Sequence, residues 1–150
     1  MKFIGVVIIV ASSLMMGIYM SNSIKKKINL CRALIDTANY ILPEIKLKQT
    51  PPCEILASER LKSLDFVGQD MLLAEQKAKT PLNDEENEAI GHFFYSLGKF
   101  DVQNQIKQIE FFKEYMSSAV RKYEEEYKSK SKIYVSIGFS FGTVIALVLI

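Results

Sequence analysis

Apolar residues are distributed in two ways along this chain. From Phe3 to Met20 eighteen residues carry no charge and fourteen are apolar, and from Ile133 to Ile150 another uncharged eighteen include thirteen apolar ones. Between these stretches apolar residues recur at intervals of three and four, the period of one helix face. Eighteen helical residues rise about 27 Å, close to the roughly 30 Å of bilayer hydrocarbon. The pattern therefore predicts transmembrane helices over residues 3–20 and 133–150, with a helical segment over residues 21–132 between them. A cleaved signal peptide competes for the first stretch. It fits poorly, because the apolar run exceeds the usual length of about 7 to 15 residues and no small-x-small cleavage site precedes Ser21.

Within the middle segment breakers are few: Gly68, Gly91 and Gly98, with Pro43, Pro51, Pro52 and Pro81. A first helix is expected from Asn22 to Leu42, with Ile24, Ile28, Cys31, Ile35, Ala38 and Leu42 as its stripe and Pro43 kinking or ending it. Nothing separates Met20 from Ile24, so this helix continues out of the first span. A second starts with Pro52 near its first position, where a missing amide hydrogen costs nothing, and turns Ile55, Leu56, Leu61 and Leu64 inward. A short third, Gly68 to Ala78, offers Met71, Leu72, Leu73 and Ala74. The run Asn83-Asp84-Glu85-Glu86 resembles a capping box and opens a fourth helix to Leu97. Gly98 then serves as a left-handed C-terminal cap, and Asp101 as the N-cap of the last and longest helix. That helix carries Val102, Ile106, Ile109, Phe112, Met116, Val120, Tyr123 and Tyr127 and enters the membrane at Ile133. With no alternating strand pattern and no Asn-Gly hairpin signal, the fold class is all-α: an antiparallel helical bundle between two terminal transmembrane helices, its first and last helices side by side.

Charge sharpens this division. Residues 21–132 are 45 of 112 apolar and 35 of 112 charged, the profile of a water-soluble domain. Lys25, Lys26, Lys27 and Arg32 follow the first span, and Lys128, Lys130 and Lys132 precede the second, while only Lys2 is charged beyond them. The positive-inside rule places the central domain in the cytoplasm of a cell membrane and both termini outside. Residues 33–127 hold 11 basic and 17 acidic residues, a balance of −6, which argues against nucleic acid. A partner with a basic surface would meet this body faster, and the basic collars favour the anionic surface of the lipid bilayer.

Candidate chemistry is sparse. There is no P-loop, Gly-x-Ser-x-Gly, dinucleotide fingerprint or His-Glu-x-x-His, so the chain is expected not to be an enzyme and to use no cofactor. His92, among Phe93, Phe94 and Tyr95, reads as a core or boundary histidine rather than a base. Cys31 and Cys53 are too few for a disulfide framework and are expected to be reduced thiols packed as small apolar residues. Asp84, Glu85, Glu86 and Glu88 share one helical turn and read as a solvated helix start, not a metal site. Glu124, Glu125 and Glu126 meet Arg121, Lys122 and Lys128 as surface ion pairs. Gly138 and Gly142 form a Gly-x-x-x-Gly pair suited to membrane-helix packing, more so than Ser13 with Gly17.

Leu97-Gly98-Lys99-Phe100-Asp101-Val102-Gln103-Asn104-Gln105-Ile106-Lys107 resembles the Leu-Gly-x-x-Asp-x-x-Asn-Gln-x-x signature of the stage III sporulation protein AB family of endospore-forming bacteria. The run from Lys132 to Gly142 resembles that family's Lys-x-Tyr-x-Ser-Leu-Gly-Phe-x-x-Gly approach to its last helix. Between Leu42 and Leu56 an acidic residue, a proline and Glu54-Ile55-Leu56 keep the family's order. The resemblance covers most of the chain and is strongest from Gly91 to Ile150. This chain departs in the stretch between Met71–Ala78 and Pro81–Glu88, which is shorter than usual and lacks a tryptophan.

The resemblance implies a cytoplasmic domain similar to the F domains of type II secretion and type IV pilus platforms, which couple a cytoplasmic ATPase to an assembly across the membrane. It implies a place in the mother-cell membrane, in the channel complex linking mother cell and forespore. An ATPase like stage III sporulation protein AA and the other membrane components of that complex would be its partners. Gly98, Asp101 and Gln105, where the match is densest, are the candidate docking residues; capping of two helices is an equal explanation for Gly98 and Asp101. The competing function is a membrane-tethered coiled-coil scaffold or signalling protein without an ATPase, supported by the heptad-like first helix.

Overall fold

Proline placement sets the first helix boundaries in the computed structural model, which describes residues 2–48, 50–58, 64, 70–73 and 76–149. Helix α1 runs unbroken over Lys2–Pro43. It stops where a proline removes an amide donor and crowds the turn before it. A π-helical turn, Glu44–Lys48, follows. Its Glu44 carboxylate accepts from Lys48 Nζ at 2.7 Å and Thr50 Oγ1 at 3.0 Å. Helix α2, Pro52–Ala57, has Pro52 in its first turn, and α3 is one turn, Asp70–Leu73. Helix α4 spans Asp84–Ser96 and α5 spans Val102–Leu149. No strand occurs among the described residues, and every regular element among them is helical.

The chain divides into two compact units. Met1–Asn29 and Val120–Ile150 make the first. There Lys25 Nζ lies 5.3 Å from the Tyr127 ring centroid and Lys27 Nζ lies 5.1 Å from that of Tyr123. Numbers rise on α1 as they fall on α5, so the helices run antiparallel and side by side, as the sequence pattern predicts. Ile24, Ile28 and Tyr123 are buried along this seam. The ion pair described on this part of α5 joins Glu126 to Lys130. No helix among the described residues is long and apolar enough to cross a membrane. The expected spans, 3–20 and 133–150, fall largely on side chains outside the described residues.

Leu30–Ala119 form the second unit. On α1 the fully buried residues are Cys31, Leu34, Ala38 and Ile41, followed by Ile45 on the π turn. The pattern placed Ile35 and Leu42 on this stripe, and both are half-buried instead. Cys31, Ala38 and Ile45 stand seven apart and form a centre line. Apolar residues flank it on both sides, at i+3 and at i+4, and periodicity does not choose between them. Packing selects Leu34 and Ile41. On α5 Ile109, Phe112, Met116 and Ala119 are buried while Val102, expected inside, is exposed. Leu73 is a further correction: it is 81% exposed while Met71 is buried. Residues two apart on a helix point about 200° apart, so an uninterrupted apolar run cannot all face one core. Leu61 and Ala74 lie outside the described residues. Cys53 is exposed and only Cys31 packs inside.

Helix α4 is held at its start by its own sequence. The Asn83 side chain accepts from Glu86 N at 2.8 Å and the Glu86 carboxylate accepts from Asn83 N at 3.1 Å, completing the capping box. Glu86 is thereby almost wholly buried rather than solvated. The next residue, Asn87, ties down the extended segment that precedes the helix. Its Oδ1 accepts from Thr80 N at 3.1 Å and Thr80 Oγ1 at 2.6 Å, and its Nδ2 donates to the carbonyls of Thr80 and Leu82 at 3.3 and 3.1 Å. Its backbone carbonyl accepts from Ala78 N at 3.0 Å. One turn further on, a Cβ at Gly91 would stand 1.9 Å from the Gln76 carbonyl oxygen, so glycine alone admits this crossing.

Gly91→Ala must displace the Gln76–Ala78 backbone and is expected to cost about 1–3 kcal/mol, as overpacking does. Asn87→Leu, which strands Thr80 and Leu82 polar groups, should cost a similar amount, about 1–3 kcal/mol. Urea unfolding of the full chain in detergent, followed by circular dichroism, measures both; unchanged midpoints would mean that the segment does not cross α4 in this way.

Candidate docking site

The densest part of the sequence signature forms the connection between α4 and α5. Leu97 adopts φ −60° and ψ 126°, Gly98 takes φ 81°, and Lys99 N donates to the Ser96 carbonyl at 3.2 Å. These values define a type II turn, whose third residue needs a positive φ. Gly98 is thus left-handed as expected, but as a turn residue, the C-cap position belonging to Leu97. A Cβ on Gly98 would also stand 2.7 Å from Pro52 Cγ, the first residue of α2. The turn is seated on that helix start and has no room for a side chain.

Asp101 caps α5. Its carboxylate accepts from Asn104 N at 3.3 Å and from the Asn104 side-chain amide, and its carbonyl accepts from Gln105 N at 2.9 Å. The Asn104 side-chain bond, then the Asn104 backbone bond, hold the Asp101 carboxyl below its ordinary pKa. The Gln105 side chain reaches back to the Phe100 carbonyl. The three candidate residues therefore lie on one connection, each with a local structural task. Gly138 and Gly142 lie on α5, with surroundings outside the described residues.

Beside this turn, and entirely within the second unit, runs a groove of about 1080 Å³. One wall is α4, through Glu88, Ala89, His92 and Phe93, and the other is α5, through Asn104, Lys107, Gln108, Phe111, Phe112 and Tyr115. Gln76 and Lys77 of the extended segment and Phe100 of the signature also line it. Phe93 and Phe112 stack face to face in its floor, centroids 3.9 Å apart and planes 6° apart. Phe111 and Phe100 remain 72% and 45% exposed. His92, expected in the core or at its boundary, is exposed on the groove wall. Lys77 pairs with Asp84 at 2.7 Å and Glu88 at 3.4 Å, and the Asp84 hydrogen bond is the chief cause that raises its pKa. Tyr115 is held neutral by burial first and by nearby Glu86 and Glu85 next, which push its phenol up.

The groove is not evident from the hydrophobic pattern of the chain. Its signal is the adjacent pair Phe111 and Phe112: only Phe112 keeps the three-and-four spacing of Ile109, Phe112 and Met116, and its neighbour points about 100° away. No group of His, Cys, Asp and Glu among the described residues is arranged to hold a metal ion.

A helical bundle whose longest helix starts at a glycine turn beside an open aromatic groove is the class of protein these features define. Residues 2–65 and 70–150 match the family model of stage III sporulation protein AB, and the chain belongs to that family. Membership implies a role in sporulation. No curated protein and no solved structure gives a match.

The depressed Asp101 pKa fixes the sign of a pH effect: the ionised cap contributes stability above the ordinary pKa, and this is lost as pH falls through the lower folded-state value. Asp101→Asn should keep most of the capping and flatten the acid limb of a stability-against-pH curve between neutral and acid pH. An unchanged acid limb would assign that pH dependence to other carboxylates.

Proposed function

We propose that the protein is a non-enzymatic membrane platform component of the mother cell–forespore channel complex required for endospore formation. Its central bundle docks a secretion-type ATPase similar to stage III sporulation protein AA. Family membership supports the sporulation setting, and one observation carries the platform reading: α5 runs without a break from the signature turn to the apolar tail, Val102–Leu149. A displacement imposed at the turn enters the same helix that carries residues 133–149. Exposed Met15, Ile18, Tyr19 and Ile133 suit lipid contact at the two terminal stretches. The basic collars orient the bundle to the cytoplasm of the mother cell with both termini outside. For the competing scaffold, the α1 positions that would recruit another chain are largely covered within this chain: Ile24 and Ile28 are buried in the first unit, and Cys31 and Ala38 in the second.

In lipid nanodiscs the full chain should bind the purified ATPase, and binding should weaken as salt rises, because a body of net −6 charge recruits a basic surface electrostatically. Absence of binding at low salt would sink the docking model. A membrane-impermeant maleimide provides a separate check of topology. It should reach exposed Cys53 only from the mother-cell cytoplasm, and labelling from outside intact cells would reverse the proposed orientation.

A further inference from the structure

On α5 the residues Asn104, Lys107, Phe111, Glu114 and Ser118 follow at alternating intervals of three and four and are all exposed. They form a second face beside the buried stripe of Ile109, Phe112 and Met116. Of this face, Asn104, Lys107 and Phe111 line the groove, which extends along α5 from Asn104 to Tyr115, about 16 Å of helix or three turns. A trough of that length between two helices, with exposed aromatic rings, has the shape that an amphipathic helix fills.

We propose that the groove seats a helix of another protein, about three turns long, with apolar residues against Phe111 and Phe100 and a carboxylate against Lys107. Charge selects this occupant. Lys77 is already paired with Asp84 and Glu88, whereas Lys107 has no carboxylate partner among the described residues. A helix laid over the groove takes the Lys107 ammonium out of water, and a buried ammonium without a partner is strongly unfavourable. The seated helix must therefore bring the acid.

A second copy is disfavoured, and on this point alone the inference rests on the membrane-platform reading. Copies in one membrane run α5 in the same direction, so pairing through this face sets Lys107 against Lys107 and Glu114 against Glu114.

The test places the photo-crosslinking residue p-benzoylphenylalanine at position 111 of the full chain in sporulating cells and sequences the cross-linked peptide by mass spectrometry. The expected adduct joins another protein through a helical segment with Asp or Glu within one turn of its apolar residues. Its yield should fall about tenfold or more in Lys107→Glu and hold in Lys46→Glu, an exposed control outside the groove. Membrane levels of each variant are matched by immunoblot, so misfolding is separated from lost binding. An adduct with the chain itself, with lipid or with a peptide lacking a carboxylate overturns the proposal, as does no adduct or a yield indifferent to Lys107→Glu. Failure here leaves the ATPase test standing, and the converse holds too.

Discussion

The extended segment Gln76–Asn83 crosses the first turns of α4 so closely that no side chain fits at Gly91, and the rest of the second unit is arranged around this crossing. An extended strand of backbone without a sheet has no ladder to satisfy its amides, so it must borrow partners. Asn87 supplies them: its carboxamide uses oxygen and nitrogen together, and its own carbonyl holds Ala78. Asn87 and Leu82 are buried and Thr80 is half-buried, so losing one partner leaves polar groups that water reaches poorly. The crossing also carries Gln76 and Lys77 to the groove, where Lys77 meets Asp84 and Glu88. A structural constraint on α4 thus shapes the surface offered to partners.

Local signals were the most legible part of the sequence. The Asn83–Glu86 capping box, Pro52 in the first turn of α2, the positive φ at Gly98 and the Asp101 cap all involve residues within a few positions of one another, and all are present. What was misread depends on distant contacts. Ile35 and Leu34 are equally apolar, and only the surroundings of α1 decide which is buried. Asn87 is one polar residue within an acidic helix start, and nothing in its sequence neighbourhood reveals that Thr80 and Leu82 fold back to it. Gly91 carried no turn signal, because its role is a close approach and not a backbone angle. His92 sits in an aromatic run that resembles core, yet its two following phenylalanines are buried while it is not.

The signature turn illustrates how structural and functional explanations combine. Gly98 is required twice, by φ and by Pro52, and Asp101, Asn104 and Gln105 are engaged with one another or with the backbone. These constraints explain the residue types without a partner. They also fix where Phe100 and Asn104 stand on the groove. A rigid turn is what a docking surface requires, because ordering a flexible loop on binding would subtract from affinity.

Helix α5 connects these levels. Its 48 residues extend about 72 Å with no proline, and its only glycines are Gly138 and Gly142 in the apolar tail. Sharp bends in helices arise at prolines, at Gly/Ser pairs or at inserted turns, and the stretch from Val102 to Ile137 contains neither proline nor glycine. On the platform reading, a partner that shifts the groove face acts on the same helix that carries the apolar tail. In that tail the Gly-x-x-x-Gly pair presents small residues that allow another helix to approach closely. Docking and close helix packing would then fall on separate stretches of one helix, the first between Asn104 and Tyr115 and the second in the tail.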